Sequence, residues 1–168
     1  MSQRDQVDEI LRQWKRERPD LDATPMGVIG RISRLALHLD TSLKAVFAKY
    51  GLQRGEFDVL ATLRRSGKPY QLTPTALFKS VMLTSGAMTN RLDRLEKAGW
   101  IIRKADPEDR RSVLVSLTPA GLKLIDKAVE DHVANEHKLL DHLSESEIKT
   151  LATSLRRLLI EFEQHETS

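Results

Sequence analysis

The spacing of apolar residues changes once from a helical period to a strand period and back, and this change most restricts the folds open to the chain. Before residue 99 and after residue 118, apolar side chains recur every three or four residues, as on amphipathic helices. Residues 100–103 and 112–117 instead form two short apolar runs around a charged tip at 105–111. Two such runs predict a β-hairpin. We therefore expect a mainly α-helical fold with one small β-hairpin.

Capping signals divide the helical part of the chain. Thr-Pro pairs at 24–25, 73–74 and 118–119 each offer a capping side chain followed by proline at the first helical position. Ser144 and Glu147 have the spacing of a capping box. The helices are predicted at about residues 4–18, 24–50, 53–65, 73–80, 84–98, 118–140 and 144–162.

The element order between residues 52 and 117 is helix, short helix, tight turn, helix, β-hairpin, which is the order of a winged helix-turn-helix. The long helices on either side carry apolar stripes that so small a module cannot cover, so we expect a partner subunit to cover them. Residues 1–24 are then an extra N-terminal helix and linker, 25–51 and 118–168 a helical dimerisation region, and 52–117 the DNA-binding domain. The alternative is a monomeric helical bundle with a hairpin.

Charge is unevenly distributed along the 168 residues, whose net charge is only +3. Residues 25–117 hold 16 basic and 8 acidic side chains, whereas the two ends together hold 11 and 16. A basic centre predicts a polyanion site, and a solvated charge gradient without a partner is the alternative.

Several classes of protein and site are disfavoured. The chain has no cysteine, which excludes disulfides, cysteine-bound zinc and thiol catalysis. No apolar run exceeds four residues and the first ten residues do not resemble a secretory signal, so we expect no membrane span and a cytoplasmic location.

The helix predicted at 84–98 carries the candidate DNA-reading residues. At about 100° per residue, Met88, Leu92 and Leu95 fall within an arc of roughly 60° that faces the core. Small and polar residues occupy the rest of the helix, and its N-terminus suits close approach to the major groove. Asn90 could pair with adenine and Arg94 with guanine, or either could hold a phosphate. The predicted DNA contacts on this helix are Thr84, Ser85, Gly86, Thr89, Asn90, Arg94 and Lys97.

The hairpin tip is the second candidate DNA contact. Arg110 and Arg111 on a turn can enter a narrow minor groove, and Asp109 can orient one of them. The alternative is a solvated turn.

Two segments, LTSGAMTNRLDRLEKAGWI (83–101) and DPEDRRSVLVSLTPAG (106–121), resemble the MarR family of regulators. The resemblance extends over about residues 25–165. It implies a triangular homodimer whose outer helices come from both chain ends, with a winged helix at each lower corner. It also implies repression of a nearby gene that a small ligand relieves.

The extra N-terminal helix resembles the PecS-type, urate-responsive branch of this family. The resemblance implies a sensor that matches five positions: Trp14, Asp58, Arg65, Arg91 and Arg103. A planar purine anion would stack on Trp14, accept hydrogen bonds from Arg91 and repel Asp58. A phenolic or other aromatic carboxylate is the alternative effector.

The residues support this sensor in part. Arg91 lies about 65° from the centre of the apolar arc, so it points back toward the protein. Asp58 and Arg65 share a helix face but are about 10 Å apart along the axis, so both could address a third group. Other roles stay open: a phosphate contact or salt bridge for Arg91, interdomain ion pairs for Asp58 and Arg65, and an apolar anchor for Trp14.

The sequence disfavours two rival functions. An enzyme is disfavoured because His132, His137 and His142 are five residues apart and share no helical face, and because no glycine-rich loop or Ser/His/Asp arrangement is present. We therefore predict no catalytic site, no metal site and no cofactor. A winged helix that contacts only protein is disfavoured by Arg110 and Arg111 and by the basic centre. The predicted partners are double-stranded DNA, a second copy of the chain and a small anionic aromatic effector.

Overall fold

The computed structural model describes residues 4–81, 88–107 and 112–166. Within these residues the chain forms seven helices and three strands. The helices are α1 (Gln6–Glu17), α2 (Thr24–Ala48), α3 (Arg54–Arg65), α4 (Pro74–Ser80), α5 (Met88–Lys97), α6 (Pro119–Leu140) and α7 (Glu145–Glu166); the strands are β1 (Gln71–Leu72), β2 (Ile101–Ala105) and β3 (Val113–Leu117).

Three of these helices begin with a side-chain cap that the sequence predicts, at Thr73, Thr118 and Ser144. The hydroxyl of Thr73 accepts from the backbone N–H of Ala76, and the hydroxyl of Thr118 accepts from that of Gly121. Glu147 accepts from the backbone N–H of Ser144 at 2.8 Å, as the capping box requires.

The prediction that Thr24 caps α2 is wrong. Thr24 is already the first helical residue and Ala23 holds the cap position without a side-chain bond. The cause is local, because Asp22 accepts the backbone N–H of Thr24 at 3.0 Å and so satisfies one of the open donors itself.

The predicted β-hairpin is present as β2 and β3, which pair antiparallel with Ile101 opposite Leu117. A third strand, β1, was not predicted. It pairs antiparallel with β3 and places β3 in the centre of the sheet. With only two residues, β1 is too short to show an alternating pattern.

One hydrophobic core joins α3, α4, α5, the sheet and the first half of α6. The central helix α3 has Val59, Leu60 and Leu63 fully buried. The prediction for the α5 arc is confirmed, since Leu92 and Leu95 are buried and Met88 packs against the same core. In the described part of the chain, no helix combines the length and apolarity needed to cross a bilayer.

The extra N-terminal helix packs along the first half of α2. Arg31 of α2 forms ion pairs at 2.7 Å with both Asp5 and Asp8. Val7 of α1 is buried beside Gly30 of α2, where an added Cβ would meet the valine at an ordinary contact distance of 3.5 Å. Helix α1 is therefore fixed to α2 by charge and by close packing.

Helix α7 leaves its apolar stripe uncovered within the chain. Of its side chains at 145–164, all except Ile148 are exposed. A groove of about 1270 Å³ runs between α1, α2, α6 and α7. Its apolar lining includes Leu11, Val28, Ile32, Leu35, Leu39, Leu139, Leu140, Leu151, Leu155 and Leu158.

Candidate DNA-binding and ligand-binding sites

Helix α5 has one face free of intrachain contacts that the structure describes. Asn90 and Lys97 are exposed there, opposite the buried Leu92 and Leu95, and Thr89 is exposed at the side of this face. Asn90 and Lys97 are seven residues apart and therefore lie on one line along the helix. This strip is the part of α5 that a DNA groove can reach.

Five of the predicted DNA contacts lie outside the described residues. They are Thr84, Ser85, Gly86, Arg110 and Arg111.

Arg94, predicted as a DNA contact, is engaged inside the domain. Its Nε donates to Oε1 of Glu56 at 2.6 Å, and its Nη2 donates to Oε1 of Gln53 at 3.2 Å. The Glu56 side chain is only 7% exposed, whereas that of Arg94 is 50% exposed. The second oxygen of Glu56 accepts the backbone N–H of Gln53 at 2.7 Å, so both carboxylate oxygens are bound.

Arg91, on the same flank of α5 as Arg94, lies against the first turn of α3. A Cβ built at Gly55 would be 2.4 Å from Nε and 2.7 Å from Cζ of Arg91. The guanidinium occupies this space only because residue 55 has no side chain. Asp58 lies three residues further on α3, so positions 55 and 58 are neighbours on the helix surface.

Arg65 lies at the opposite end of α3 from Arg91. Its Nη2 donates to the hydroxyl of Thr62 at 3.0 Å and to the carbonyl of Ser80 at the end of α4. Arg65 thus bonds to its own helix and to the end of α4.

Trp14 is 38% exposed on α1. The hydrogen bonds, ion pairs and ring contacts between described residues do not join its indole to Asp58, Arg65 or Arg91. The five predicted sensor residues are thus distributed over α1, α3, α5 and β2 rather than gathered in one described cluster.

Arg103, predicted as a ligand contact, connects the wing to the other flank of α5. Its Nε donates to Glu96 at 2.8 Å and its Nη2 donates to Asp93 at 2.6 Å. Glu96 also accepts the backbone N–H of Arg103 at 2.9 Å. The Arg103 guanidinium, followed by its backbone N–H, lowers the pKa of Glu96 below the usual value for glutamate.

The lowered pKa of Glu96 predicts a pH-dependent contribution to stability. A carboxylate whose folded pKa is depressed stabilises the fold above its unfolded pKa, and this contribution is lost as pH falls through the folded pKa. We expect Glu96→Gln to lower Tm by about 1–3 °C at pH 7. Thermal unfolding of both proteins between pH 7 and pH 3 is the measurement. The difference should close toward pH 3, and a difference that is constant with pH would contradict the assignment.

Sequence reasoning missed the partners that hold α5. Gln53 and Glu56 have the spacing of a capping box, Q-x-x-E, which signals a helix start but does not reveal a bond to Arg94, 38 residues later. The helical period places Asp93 away from the buried arc but does not identify Arg103 as its partner. The signal that could have found this partner is the reversal of the chain at Gly99, which returns β2 alongside α5.

Comparisons with known proteins agree with this fold. The MarR family model matches residues 52–113. The HTH-type transcriptional regulator PecS of Dickeya dadantii (strain 3937) is 48% identical over 95% of this chain and 94% of its own length. A mutant MarR from E. coli complexed with operator DNA has a TM-score of 0.68 and 27% identity, over 87% of this chain and 97% of that one. AbsC, a MarR family regulator from Streptomyces coelicolor, has a TM-score of 0.76 at 20% identity, over 86% and 97% of the two chains.

The MarR family match covers α3, both helices of the helix-turn-helix and the beginning of the wing. The PecS similarity extends over almost the entire chain, and therefore over α1 as well. The chain belongs to the MarR family of DNA-binding transcriptional regulators, and within it is a PecS-like member.

Proposed function

We propose that this regulator is a ligand-relieved repressor that binds pseudo-palindromic operators as a homodimer. Urate or a similar planar anion is its effector. The observation that carries the effector proposal is the position of Arg91, whose guanidinium lies between the DNA-reading helix α5 and the first turn of α3.

The proposed DNA contacts are the free strip of α5 together with its N-terminus and the hairpin tip. Thr89, Asn90 and Lys97 are exposed and point away from the core. The sequence adds Thr84, Ser85 and Gly86 at the start of this helix, and Arg110 and Arg111 at the tip. The helix would enter the major groove while the tip arginines follow the minor groove.

The dimer proposal is supported by the uncovered apolar surface. Leucines of α7 are exposed, and the groove between α1, α2, α6 and α7 has an apolar lining. Exposed apolar surface of this extent is typical of an obligate partner interface. A second copy of the chain would bury it, with 25–51 and 118–168 as the dimerisation region and 52–117 as the DNA-binding domain.

The effector proposal follows from the charges around Arg91. Arg91 is partly buried, and its guanidinium lies against Gly55 in the first turn of α3. An anion bound there would accept hydrogen bonds from the Arg91 guanidinium. It would also lie close to the Asp58 carboxylate and repel it. Because Asp58 belongs to α3 and Arg91 to α5, this repulsion would shift α5 relative to α3. Trp14 would stack on the planar ligand, with Arg65 and Arg103 supplying further positive charge.

A gel mobility shift tests the proposal, using the DNA immediately upstream of the protein's own gene. Urate is expected to release the DNA, whereas an uncharged purine is not. A complex that urate leaves intact would remove urate as the effector. Release by salicylate but not by urate would instead favour the aromatic carboxylate effector.

Two variants test the sensor residues. We expect Trp14→Ala and Arg91→Ala to lose the response to urate while operator affinity stays within about threefold of wild type, since neither residue is a proposed DNA contact. Ile10→Ala is the matched control, because Ile10 is equally exposed one turn earlier on α1. Loss of DNA binding in Arg91→Ala, with the urate response of the remaining complex unchanged, would contradict the assignment.

A further inference from the structure

The recognition helix α5 is held on both flanks by ion pairs of opposite polarity. On one flank, its own Arg94 reaches Glu56 and Gln53 of α3. On the other, its own Asp93 and Glu96 receive Arg103 of β2. The two flanks are separated by the free strip of Asn90 and Lys97.

We propose that these two sets of ion pairs form a clamp that fixes the rotation of α5 about its own axis. Arg94 is then a positioning residue rather than a DNA contact, and Arg103 positions α5 through Asp93 and Glu96. The clamp determines which α5 side chains face the base edges of DNA. This role does not depend on the proposed effector or on the proposed dimer.

The angular positions on α5 explain why the clamp acts on rotation. At about 100° per residue, Arg94 and Asp93 lie about 100° apart, on opposite sides of the line through Asn90 and Lys97. A bond on one side alone would let the helix turn toward or away from it. Bonds on both sides oppose each other, so a rotation that shortens one set lengthens the other.

Outside α5, the clamp is fixed to a buried carboxylate of α3 on one side and to the sheet on the other. Glu56 is buried, and its second oxygen is bound to the start of α3, next to the buried Phe57. Arg103 and Glu96 are bonded through both side chain and backbone. Because Glu56 belongs to the core and Arg103 to the sheet, these residues transmit their position to α5.

DNA affinity of charge-removing variants separates positioning from direct contact. Glu56→Gln removes a negative charge from the DNA-binding domain, so electrostatics alone would raise affinity for DNA. If Glu56 instead positions α5, Glu56→Gln lowers the affinity for DNA. The target is a duplex selected by the wild-type protein from a random library, compared with a scrambled duplex of equal length.

We expect Arg94→Ala and Glu56→Gln each to lower affinity for the selected duplex about tenfold. The double variant should lose no more than either single one, because both remove the same bond. Affinity for the scrambled duplex should not fall in Glu56→Gln, and the slope of log affinity against log salt should stay unchanged in Arg94→Ala. Arg94→Lys should not rescue binding, because lysine keeps the charge but lacks the fork that joins Glu56 and Gln53.

Two control variants show the behaviour of an ion pair outside the clamp and of a direct DNA contact. Arg64→Lys alters an ion pair of the same 2.6 Å Nε-to-carboxylate length, which joins α3 to Asp126 of α6. This pair includes no residue of α5, so the variant should leave selectivity unchanged. Lys97→Ala removes a charge from the free strip and should lower affinity for both duplexes and reduce the salt slope by about one.

Two outcomes would overturn the clamp. The first is a reduced salt slope in Arg94→Ala with full rescue by Arg94→Lys, which is the behaviour of a phosphate contact. The second is unchanged or raised affinity in Glu56→Gln. Thermal unfolding of each variant checks that it is folded at the assay temperature. If Glu56→Gln is not folded, the DNA affinity of Arg94→Lys compared with that of Arg94→Ala distinguishes positioning from a phosphate contact.

Discussion

The double variant Leu155→Glu, Leu158→Glu is expected to be monomeric and to bind operator DNA at least 100-fold more weakly than wild type. Both leucines lie on the apolar lining of the groove and are exposed within the chain. A charged carboxylate at an interface that excludes water is strongly unfavourable. A monomer then reads one half-site and loses the gain from binding two linked half-sites, which is about 100-fold or more.

Sedimentation and gel mobility shifts at the same protein concentrations measure both parts of this prediction. Thr153→Glu is the matched control, because Thr153 lies on the opposite side of α7 and is also exposed. It should remain dimeric and bind DNA like wild type. A double variant that stays dimeric would show that α7 is not the interface, and a monomer with wild-type affinity would show that dimerisation does not serve DNA binding.

The elements of this fold could be predicted because their signals are local. Apolar period and capping residues lie within a few positions of each other, so the helix beginning at Pro119 and the capping box at Ser144 followed from the sequence. Strand β1 did not, because two residues carry no period and its partner β3 is more than 40 residues away. The start of α2 was misassigned because Asp22, two positions earlier, accepts the backbone N–H of Thr24, which is already the first helical residue.

The candidate sites were predictable to the level of a helix face but not of a partner. The period of α5 correctly assigned Leu92 and Leu95 to the core. It also assigned Arg94 to the polar side. Helical period cannot tell whether the partner of a polar side chain is a base, a phosphate or a carboxylate of the same protein. Only the approach of α3 to α5 identifies Glu56 as its neighbour. The same limit applies to Arg103, whose carboxylate partners are set by the chain reversal after α5.

The junction between the helix-turn-helix and α6 allows no side chain at residue 121. Gly121 is the third residue of α6, and its backbone N–H donates to the Thr118 hydroxyl at 2.9 Å. That hydroxyl in turn donates to the carbonyl of Gly99 at 2.7 Å, and the Thr118 backbone N–H donates to the carbonyl of Trp100 at 3.1 Å. The beginning of α6 is thus bonded directly to the turn that ends the recognition helix.

Gly121→Ala is therefore expected to be strongly destabilising. The added Cβ would lie 1.9 Å from the carbonyl oxygen of Trp100 and 2.8 Å from its carbon. Both atoms are backbone, so relief requires moving α6 away from β2, at a cost of about 2–4 kcal/mol. For a chain of this length, Tm should fall by roughly 5–15 °C.

Thermal unfolding at one fixed protein concentration tests this, with Gly30→Ala as the matched helical-glycine control. At Gly30 the new Cβ would meet Val7 at 3.5 Å, an ordinary contact, and alanine favours the helix by about 0.5–1 kcal/mol. Gly30→Ala should therefore unfold at or above the wild-type temperature. If Gly121→Ala also unfolds within about 2 °C of wild type, α6 can move away from Trp100 without loss, and the dimerisation helices are coupled to the recognition helix less rigidly than these bonds imply.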